Sequence, residues 1–311
     1  MLRMLRLSGL AVMVIAIGAM AQYKLPPKEI VDIIDAPPTP FVSVSPDGGS
    51  MLLVESRLHP SVALLARPIH RIAGLRIDAQ RHSRQHLSTL SGLQVVTLPQ
   101  GTTKRIALPA DASIGFPVWS NDGSKIAFTR DTDTEVQLWW ADIKTGVARQ
   151  VKGVRVNDVL GSPLQWMSDH RRLLVRTVPK GTGKPPALPA VPDGPNIDET
   201  AGRVSRTATY QDLLRSTHDE ALFAHYAATQ LVVVDVMNGT SRPFGQAGLL
   251  MSASFSPDEN YVLATVLKRP FSYRVPYPSF SRSVEVWSAE GKPVRTLADL
   301  PVSDDVPTQG V

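Results

Sequence analysis

The sequence predicts an all-β chain, an incomplete β-propeller of four-stranded blades with long, partly helical insertions. The first observation is a turn that occurs four times, with an Asp between two apolar strands: the turns at Asp47, Asp122, Asp169 and Asp258. The second is a Gly-centred turn that follows each copy: the turns at Gly101, Gly146, Gly239 and Gly291. Two hairpins per copy form a four-stranded sheet, and such sheets in series are propeller blades. We therefore expect about four to five blades.

The Asp turns are expected to reverse two strands, because an Asp side chain can cap its own turn while Gly or Asn adopts a left-handed conformation. From Asp122 to Asp169 there are 47 residues, close to the ~40–45 residues of one blade. The other spacings, 75 and 89 residues, leave room for insertions. The five Trp residues fall on predicted strands, where we expect them to pack between blades. A β-sandwich with similar turns by chance is the alternative fold.

Two insertions are predicted, at about residues 57–90 and about residues 179–229. The first is rich in Arg and contains a single acid, Asp78. The second begins with a proline-rich stretch, expected to be an extended surface loop. It continues with a helical pattern that we expect to be capped by Thr209 and interrupted near Ser216. A short helix is also predicted just after Pro26.

The first 21 residues have the pattern of a signal peptide, with two Arg, an apolar run and a small-x-small site. We expect cleavage between Ala21 and Gln22, which gives a partial propeller over residues 22–311 that is periplasmic or secreted. The apolar run is short for a membrane span, and no other stretch approaches ~18 apolar residues, so no stable span is expected after cleavage. An uncleaved N-terminal anchor is the alternative.

Composition narrows the classes of function. The chain has 311 residues, of which 33 are Lys or Arg and 28 are Asp or Glu, and 43% are hydrophobic. The absence of Cys excludes disulfides, thiolate catalysis and Cys-ligated metal centres. A net charge of +5 without a clustered basic face does not indicate a nucleic-acid partner. No cofactor is predicted, because the phosphate-loop and dinucleotide fingerprints are missing.

No catalytic residue and no metal site are predicted from the motifs. An α/β-hydrolase places its nucleophile on a Gly-x-Ser-x-Gly elbow, and the sequence contains none. His82 and His86 have the spacing of one helix face, but no Glu adjoins His82 and no third ligand is evident, so a solvated basic loop is expected. The Arg groups of this first insertion could hold an acidic peptide side chain, but we favour a solubilising or docking surface.

Five longer strings of the sequence resemble the propeller of glutamyl endopeptidases, which are serine peptidases of the prolyl oligopeptidase superfamily. The matching strings follow one another in the same order: residues 65–78, 209–214, 219–223, 269–273 and 298–301. The resemblance extends from about residue 26 to the last residues. It implies an N-terminal propeller that restricts access to a C-terminal α/β-hydrolase domain, with cleavage after Glu as the characteristic activity.

The resemblance also implies what the sequence lacks. The sequence stops at Val311, within the propeller, so no catalytic Ser, Asp or His can be assigned, and we expect the α/β-hydrolase domain to be absent. Without a nucleophile the chain alone is expected not to hydrolyse peptides. Arg76, Arg269 and Tyr273 lie in the matching strings and are candidate substrate-binding residues, with a packing role as the alternative. The expected partner is a peptide substrate, reached through the hydrolase domain.

Two other functions are compatible with the same turns. One is a stand-alone periplasmic propeller that binds a protein partner, similar to the TolB-type propellers. The other is a propeller glycosidase, which would need paired carboxylates facing one channel. No cluster of acids in the sequence favours the glycosidase.

Overall fold

The structure is a computed structural model that describes residues 24–87, 90–191, 194 and 210–303. Residues 1–36 and 37–311 form two compact units. The described part of the first unit contains helix α1 (Lys28–Ile34), the short helix predicted after Pro26. Lys28 and Asp32 face each other one turn apart on this helix. The predicted signal peptide and its cleavage site at Ala21 and Gln22 lie outside the described residues.

The second unit confirms the all-β prediction and consists of strands with two helices between them. In chain order the strands are β1 (Phe41–Val44), β2 (Ser50–Ser56), β3 (Ile69–Ile72), β4 (Leu75–Asp78), β5 (Ser83–Arg84), β6 (Leu90–Thr97), β7 (Thr102–Arg105), β8 (Ser113–Trp119), β9 (Lys125–Asp131), β10 (Val136–Asp142), β11 (Ala148–Val156), β12 (Leu164–Trp166), β13 (Arg172–Thr177), β14 (Thr229–Asp235), β15 (Ser241–Gly248), β16 (Leu250–Phe255), β17 (Tyr261–Leu267), β18 (Arg282–Ser288) and β19 (Pro293–Leu300). The helices are α2 (Val62–Leu65) and α3 (Thr217–Ala227), and a 3-10 turn spans Tyr277–Ser279. No helix of the described residues is long and apolar enough to cross a membrane.

Sixteen of these strands form four antiparallel, four-stranded meanders, which we call blades 1 to 4. Blade 1 contains β1, β2, β6 and β7, blade 2 contains β8 to β11, blade 3 contains β12 to β15, and blade 4 contains β16 to β19. Single strand contacts, Leu90 with Ile114 and Val156 with Thr177, join blades 1, 2 and 3. This arrangement confirms the prediction of four-stranded blades in series.

The Asp turns connect the first and second strands of each blade. Ser45, Ser120 and Ser256 donate hydrogen bonds to Asp47, Asp122 and Asp258, at 2.5, 2.6 and 2.5 Å. The next residue has a positive φ, as predicted, and in blades 1 and 2 it is Gly. In blades 3 and 4 this position is instead taken by His170 and Glu259, so the expectation of Gly or Asn was wrong there.

Consecutive blades pack face to face through apolar cores. Leu52, Leu93 and Ile126 lie in the core between blades 1 and 2, while blades 3 and 4 share a core that contains Phe244 and Trp287. Tryptophans also connect the first strands of neighbouring blades. The Nε1 of Trp119 donates to the carbonyl of Ser43 at 3.3 Å, and that of Trp166 donates to Val118 at 3.1 Å. These contacts agree with the predicted role of tryptophan between blades.

The outer faces of blades 1 and 4 are exposed and partly apolar. Phe41 and Val42 of β1 and Leu263 and Leu297 of blade 4 are each about half exposed or more. Among the described residues, no hydrogen-bonded strand pair joins blade 4 back to blade 1. The described sheets therefore do not form a closed ring.

Insertions separate the second and third strands in blades 1, 3 and 4. They occupy residues 57–89, 178–228 and 268–281. The third of these is short and was not predicted as an insertion, although Pro270, Pro276 and Pro278 lie in it. Since second and third strands always join at the end opposite the Asp turns, all three insertions leave the blades at one end. The corresponding loop of blade 2 has only residues 132–135.

Candidate functional site

The three insertions pack together into one structure, which we call the cap: residues 57–87, 210–228 and 268–281. Each contributes large side chains to a common apolar core, among them Ile77, Phe223, Tyr226, Phe271 and Phe280. The ring of Phe223 meets those of Phe271 and Phe280 edge to face, at centroid distances of 5.1 and 5.7 Å. Segments that are remote in sequence therefore bury one another, and the burial of aliphatic and aromatic side chains stabilises the cap.

Helix α3 forms the centre of the cap. It begins at Thr217, with Ser216 as its N-cap, and the Ser216 hydroxyl accepts a hydrogen bond from the Asp219 amide at 3.1 Å. The prediction of a helix capped by Thr209 and interrupted near Ser216 was therefore wrong about the N-cap residue, because Ser216 itself caps the start of α3. Thr209 lies outside the described residues. Asp219 and Glu220 occupy the first turn, where the helix dipole favours acids.

Two of the three predicted substrate-binding residues meet at one carboxylate of α3. Arg269 donates from Nη1 to Oε2 of Glu220 at 2.9 Å, and the Tyr273 hydroxyl donates to Oε1 at 2.7 Å. The guanidinium of Arg269 also lies over the ring of Phe271, 4.6 Å from its centroid. Glu220 is thus held by a cation and a hydroxyl in the way that a peptide carboxylate could be held.

The third predicted residue, Arg76, lies at a different carboxylate. Its Nε donates to Oδ2 of Asp212 at 3.1 Å, which connects β4 in the first insertion to the segment before α3. The side chain of Arg76 is 43% exposed, whereas that of Asp212 is 16% exposed. All three candidates therefore link one insertion of the cap to another in this structure.

Beneath the apolar core lies a cluster of buried charges that the sequence analysis missed. The Nε of Arg67 lies 2.5 Å from Oδ2 of Asp78, and the Nε of Arg81 lies 3.7 Å from the same oxygen. Arg81 reaches across to Asp131 at the end of β9, at 3.7 Å. The side chains of Arg67 and Arg81 are only 12% and 11% exposed, so the solubilising surface expected for this stretch is wrong for both. The excess of Arg over acidic residues in this insertion indicated that some of these Arg side chains would pair with carboxylates from other parts of the chain.

His86 connects this cluster to blade 2. Its Nδ1 lies 3.6 Å from Oδ2 of Asp131, and its Nε2 lies 3.3 Å from Oδ2 of Asp158, which precedes blade 3. Burial raises the pKa of Asp158 to about 6, although the charge of His86 opposes this. Burial also opposes the charge of His86, but the contact with Asp131 and the charges of both acids outweigh it, so the pKa of His86 is raised.

His82 lies in a different environment from His86, although the two are four residues apart. Its ring packs against those of Tyr226 and His225, with centroids 4.9 and 5.3 Å away. Burial, with the charge of Arg155, lowers the pKa of His82 to about 4. The expectation of a solvated basic loop is therefore wrong for His82, which is a buried, neutral part of the cap.

The described side chains of the cap suit the binding of carboxylates. In the part of the chain that the structure describes, no Ser hydroxyl forms a hydrogen bond with His86, the only His between two acids. Within the same described ranges, no group of three or more His, Asp or Glu side chains is placed to hold a metal ion. The cap presents guanidinium and hydroxyl groups, which bind carboxylates.

Comparison with known proteins gives two related sequences of one kind. The chain is 39% identical over 299 residues to a probable chloroplastic glutamyl endopeptidase of Arabidopsis thaliana. It is 37% identical over 305 residues to the protein of the same name in Oryza sativa subsp. japonica. These matches cover 92% and 93% of this chain but 31% and 32% of the relatives. The chain therefore spans about a third of the length of the curated relatives it matches.

Comparison with protein-family models gives no match. Among solved structures, the chain is similar to the β-propeller domain of the Trilobed protease from Pyrococcus furiosus, with a TM-score of 0.45 and 14% identity. That alignment covers 85% of this chain and 59% of the other.

Proposed function

We propose that this chain is the propeller portion of a serine endopeptidase of the glutamyl endopeptidase type, where it restricts access of peptides to the active site. The observation that carries the proposal is the identity of 39% and 37% to two proteins named probable glutamyl endopeptidase, across more than nine tenths of this chain. The name belongs to those two proteins. The same activity is a proposal for the whole protein of which we propose this chain to be the propeller portion.

The chain supplies no nucleophile for this chemistry. Peptide hydrolysis by a serine enzyme needs an activated hydroxyl beside oxyanion donors, and the sequence has no Gly-x-Ser-x-Gly elbow. We propose that the hydrolase domain corresponds to part of the remaining two thirds of the relatives' length. The role left for the propeller is to admit and orient the peptide.

The packing of the blades suits a role in restricting access. Neighbouring blades share continuous apolar cores, and the tryptophan contacts to Ser43 and Val118 fix the first strands against one another. Such an array does not open easily between blades, since separation would expose the buried cores to water. A peptide would therefore enter at the ends of the blades, past the cap, or between blades 4 and 1, whose outer faces share no strand pair among the described residues.

The cap suits a role in contacting the peptide. It stands at a single end of the blades, and Arg269 is 55% exposed while it holds Glu220. Because the guanidinium of Arg269 is partly solvated already, it can exchange one carboxylate for another, while Glu220, at 19% exposure, carries most of the cost of separation. We propose that Arg269 and Tyr273, and Arg76 in the first insertion of the cap, exchange their internal acids for an acidic side chain of the peptide.

We also propose that the protein acts in the periplasm or is secreted. The support is the sequence of the first 21 residues, with its charged start, apolar run and small-x-small site. Fractionation of the cells that make the protein tests this point. Recovery with the soluble periplasmic fraction, and a mature start at Gln22, is the expected result, and recovery in the cytoplasm would contradict it.

The function is tested with the natural protein, captured from those cells by an antibody against residues 210–303. A fluorophosphonate, which labels activated serine nucleophiles, is expected to label the captured material. The same material is expected to cleave a peptide at Glu and to leave the matched Gln peptide intact. A single unlabelled species no larger than the 33.8 kDa of the 311-residue chain would overturn the peptidase proposal and favour a stand-alone binding propeller. The purified 311-residue chain serves as the control, since we expect no labelling without a nucleophile.

A further inference from the structure

A cavity between blades 3 and 4 lies apart from the ion pairs of the cap. Its volume is about 330 Å³, and it opens to solvent. The walls come mainly from β12 and β13 of blade 3 and from β16 of blade 4, and Leu174 and Met251 are among their apolar residues. Ser162, Gln165 and Ser252 supply polar groups to the same walls. A cavity of this size holds a small molecule or the end of a peptide.

The side chain of Arg176 lines this cavity and is buried, with 6% of the residue exposed. Its Nη1 donates to the carbonyl of Met251 at 3.1 Å, and its Nη2 donates to the carbonyl of Leu250. Both partners are neutral. Among the described residues, no carboxylate lies within the ion-pair distance of 4.0 Å from this guanidinium, and no acid lines the cavity.

A buried cation without a counter-charge is unusual, because burial of an uncompensated charge is costly. Burial lowers the pKa of Arg176 to about 10, so the group still carries its charge at neutral pH. Tyr277 opposes this lowering, and a second cation, Arg84, adds to it. The Arg84 side chain donates to the hydroxyl of Tyr277 and to the carbonyl of Val159, and its amide donates to Asp158. Among the described residues that line the cavity, Arg176 is the only charged one.

We infer that this cavity is a binding site for a carboxylate on a short apolar stem, with Arg176 as its anchor. The guanidinium has five N–H donors in one plane, and the hydrogen bonds to the two carbonyls use two of them. Ser162, Ser252 and the Gln165 amide can complete the hydrogen bonds of the anion, and Leu174 and Met251 can cover methylene groups. This inference does not depend on the peptidase proposal, since it rests on the cavity and its charge alone.

A carboxylate of this kind has two sources in a peptide, an acidic side chain or the C-terminus. The probes are therefore acetylglutamic acid α-amide, which has only a side-chain carboxylate, and acetylglutamine, which has only an α-carboxylate. Acetylglutamine amide has neither and is the neutral control. Isothermal titration calorimetry with the full 311-residue chain measures the affinity of each.

We expect at least one of the two acids to bind about tenfold more tightly than the neutral amide, since a charge-assisted hydrogen bond is lost in the amide. R176Q is expected to weaken that binding about tenfold, whereas R171Q, on the same blade but at a surface pair with Asp235, is expected to leave it unchanged. R176K keeps the charge without the planar fork and provides a folded variant if R176Q does not fold; it should bind more weakly than the wild type. Equal binding of the acids and the amide, or unchanged binding by R176Q or folded R176K, would overturn the inference and leave Arg176 as a tether between two blades.

Discussion

In the blades, most buried side chains are apolar and the four turn aspartates lie at strand ends, whereas the cap buries Asp78, Arg81 and His82. The blades repeat one local design, and in blades 1, 2 and 4 the turn is stabilised by a Ser two residues before the Asp. The cap has no repeat, and its contacts join residues far apart in sequence, such as Arg269 and Glu220. The difference indicates that the blades form a stable support, while the cap depends on a few specific long-range contacts that can be changed.

The largest expected effect is on the cap core. Phe223→Ala removes a fully buried ring that touches Phe271 and Phe280, so it is expected to destabilise the cap by about 4 kcal/mol. Hydrogen exchange should show faster exchange in α3 while the strands of blade 2 stay protected. Leu65→Ala, at an exposed position of α2, is the matched control and should change little. Equal loss of protection in blade 2 would mean that cap and blades unfold together.

The buried ion pairs provide the next test. Asp78→Asn keeps the shape of the side chain but leaves Arg67 and Arg81 without their shared charge, so a loss of about 3 kcal/mol in the free energy of unfolding is expected. Asp299→Asn breaks an exposed pair with Lys268 and should cost less than about 1 kcal/mol. Urea unfolding measures both. Similar losses in the two variants would show that the cap does not depend on its buried charges.

A smaller effect is expected in the turns of the blades. Gly123 has a φ of 68°, and a Cβ there would lie 2.7 Å from Oδ1 of Asp47 in the neighbouring turn. Gly48 has a φ of 71° but open space around it. Gly48→Ala should therefore cost about 1 kcal/mol from backbone strain alone, and Gly123→Ala about 2 kcal/mol. Thermal unfolding distinguishes the two, and equal shifts would show that the contact between turns contributes nothing.

The smallest effect is the dependence of stability on pH, because two histidines of the cap act in opposite directions. Because the pKa of His86 is raised and the pKa of Asp158 is about 6, the folded state binds protons at these two groups more tightly than the unfolded state does. Their contribution to the free energy of unfolding is therefore lost as pH rises through the folded-state pKa values. The pKa of His82, about 4, gives a contribution present above pH 6.5 and lost as pH falls.

The directions of these two pH effects are tested by measuring the free energy of unfolding at a series of pH values from 4 to 8. His86→Gln should remove much of the decline on the alkaline side, and His82→Gln should remove part of the decline on the acid side. The two histidines act on opposite sides of pH 6.5, so each variant should vary less with pH than the wild type on its own side. A His86→Gln profile parallel to the wild type would contradict the assignment of this titration to His86.

The sequence predicted the blades because their turns are local. A Ser two residues before an Asp is a local turn signal, so Asp47, Asp122 and Asp258 could be recognised without any knowledge of the neighbours. The turn at Asp169 shows the limit, since Met167 stands where the other turns have Ser, and His170 has the positive φ that Gly has in blades 1 and 2.

The cap could not be predicted in this way. Nothing near Arg81 in the sequence indicates that Asp131 of blade 2 lies beside it. Arg269 and Tyr273 were identified as candidates from a resemblance, but their shared contact with Glu220 depends on how α3 packs against the third insertion. Such contacts are set by the tertiary arrangement, which hydrophobic periodicity and turn signals do not encode.

The three insertions share one apolar core, so the most direct test of the cap is native-state hydrogen exchange of the wild-type chain followed by mass spectrometry. If the three insertions form one cap, peptides from residues 69–78, 217–227 and 268–281 should show the same opening free energy, below that of β9 and β10. Three different opening free energies, or one shared with the blades, would contradict a cap that opens on its own over a stable array of blades.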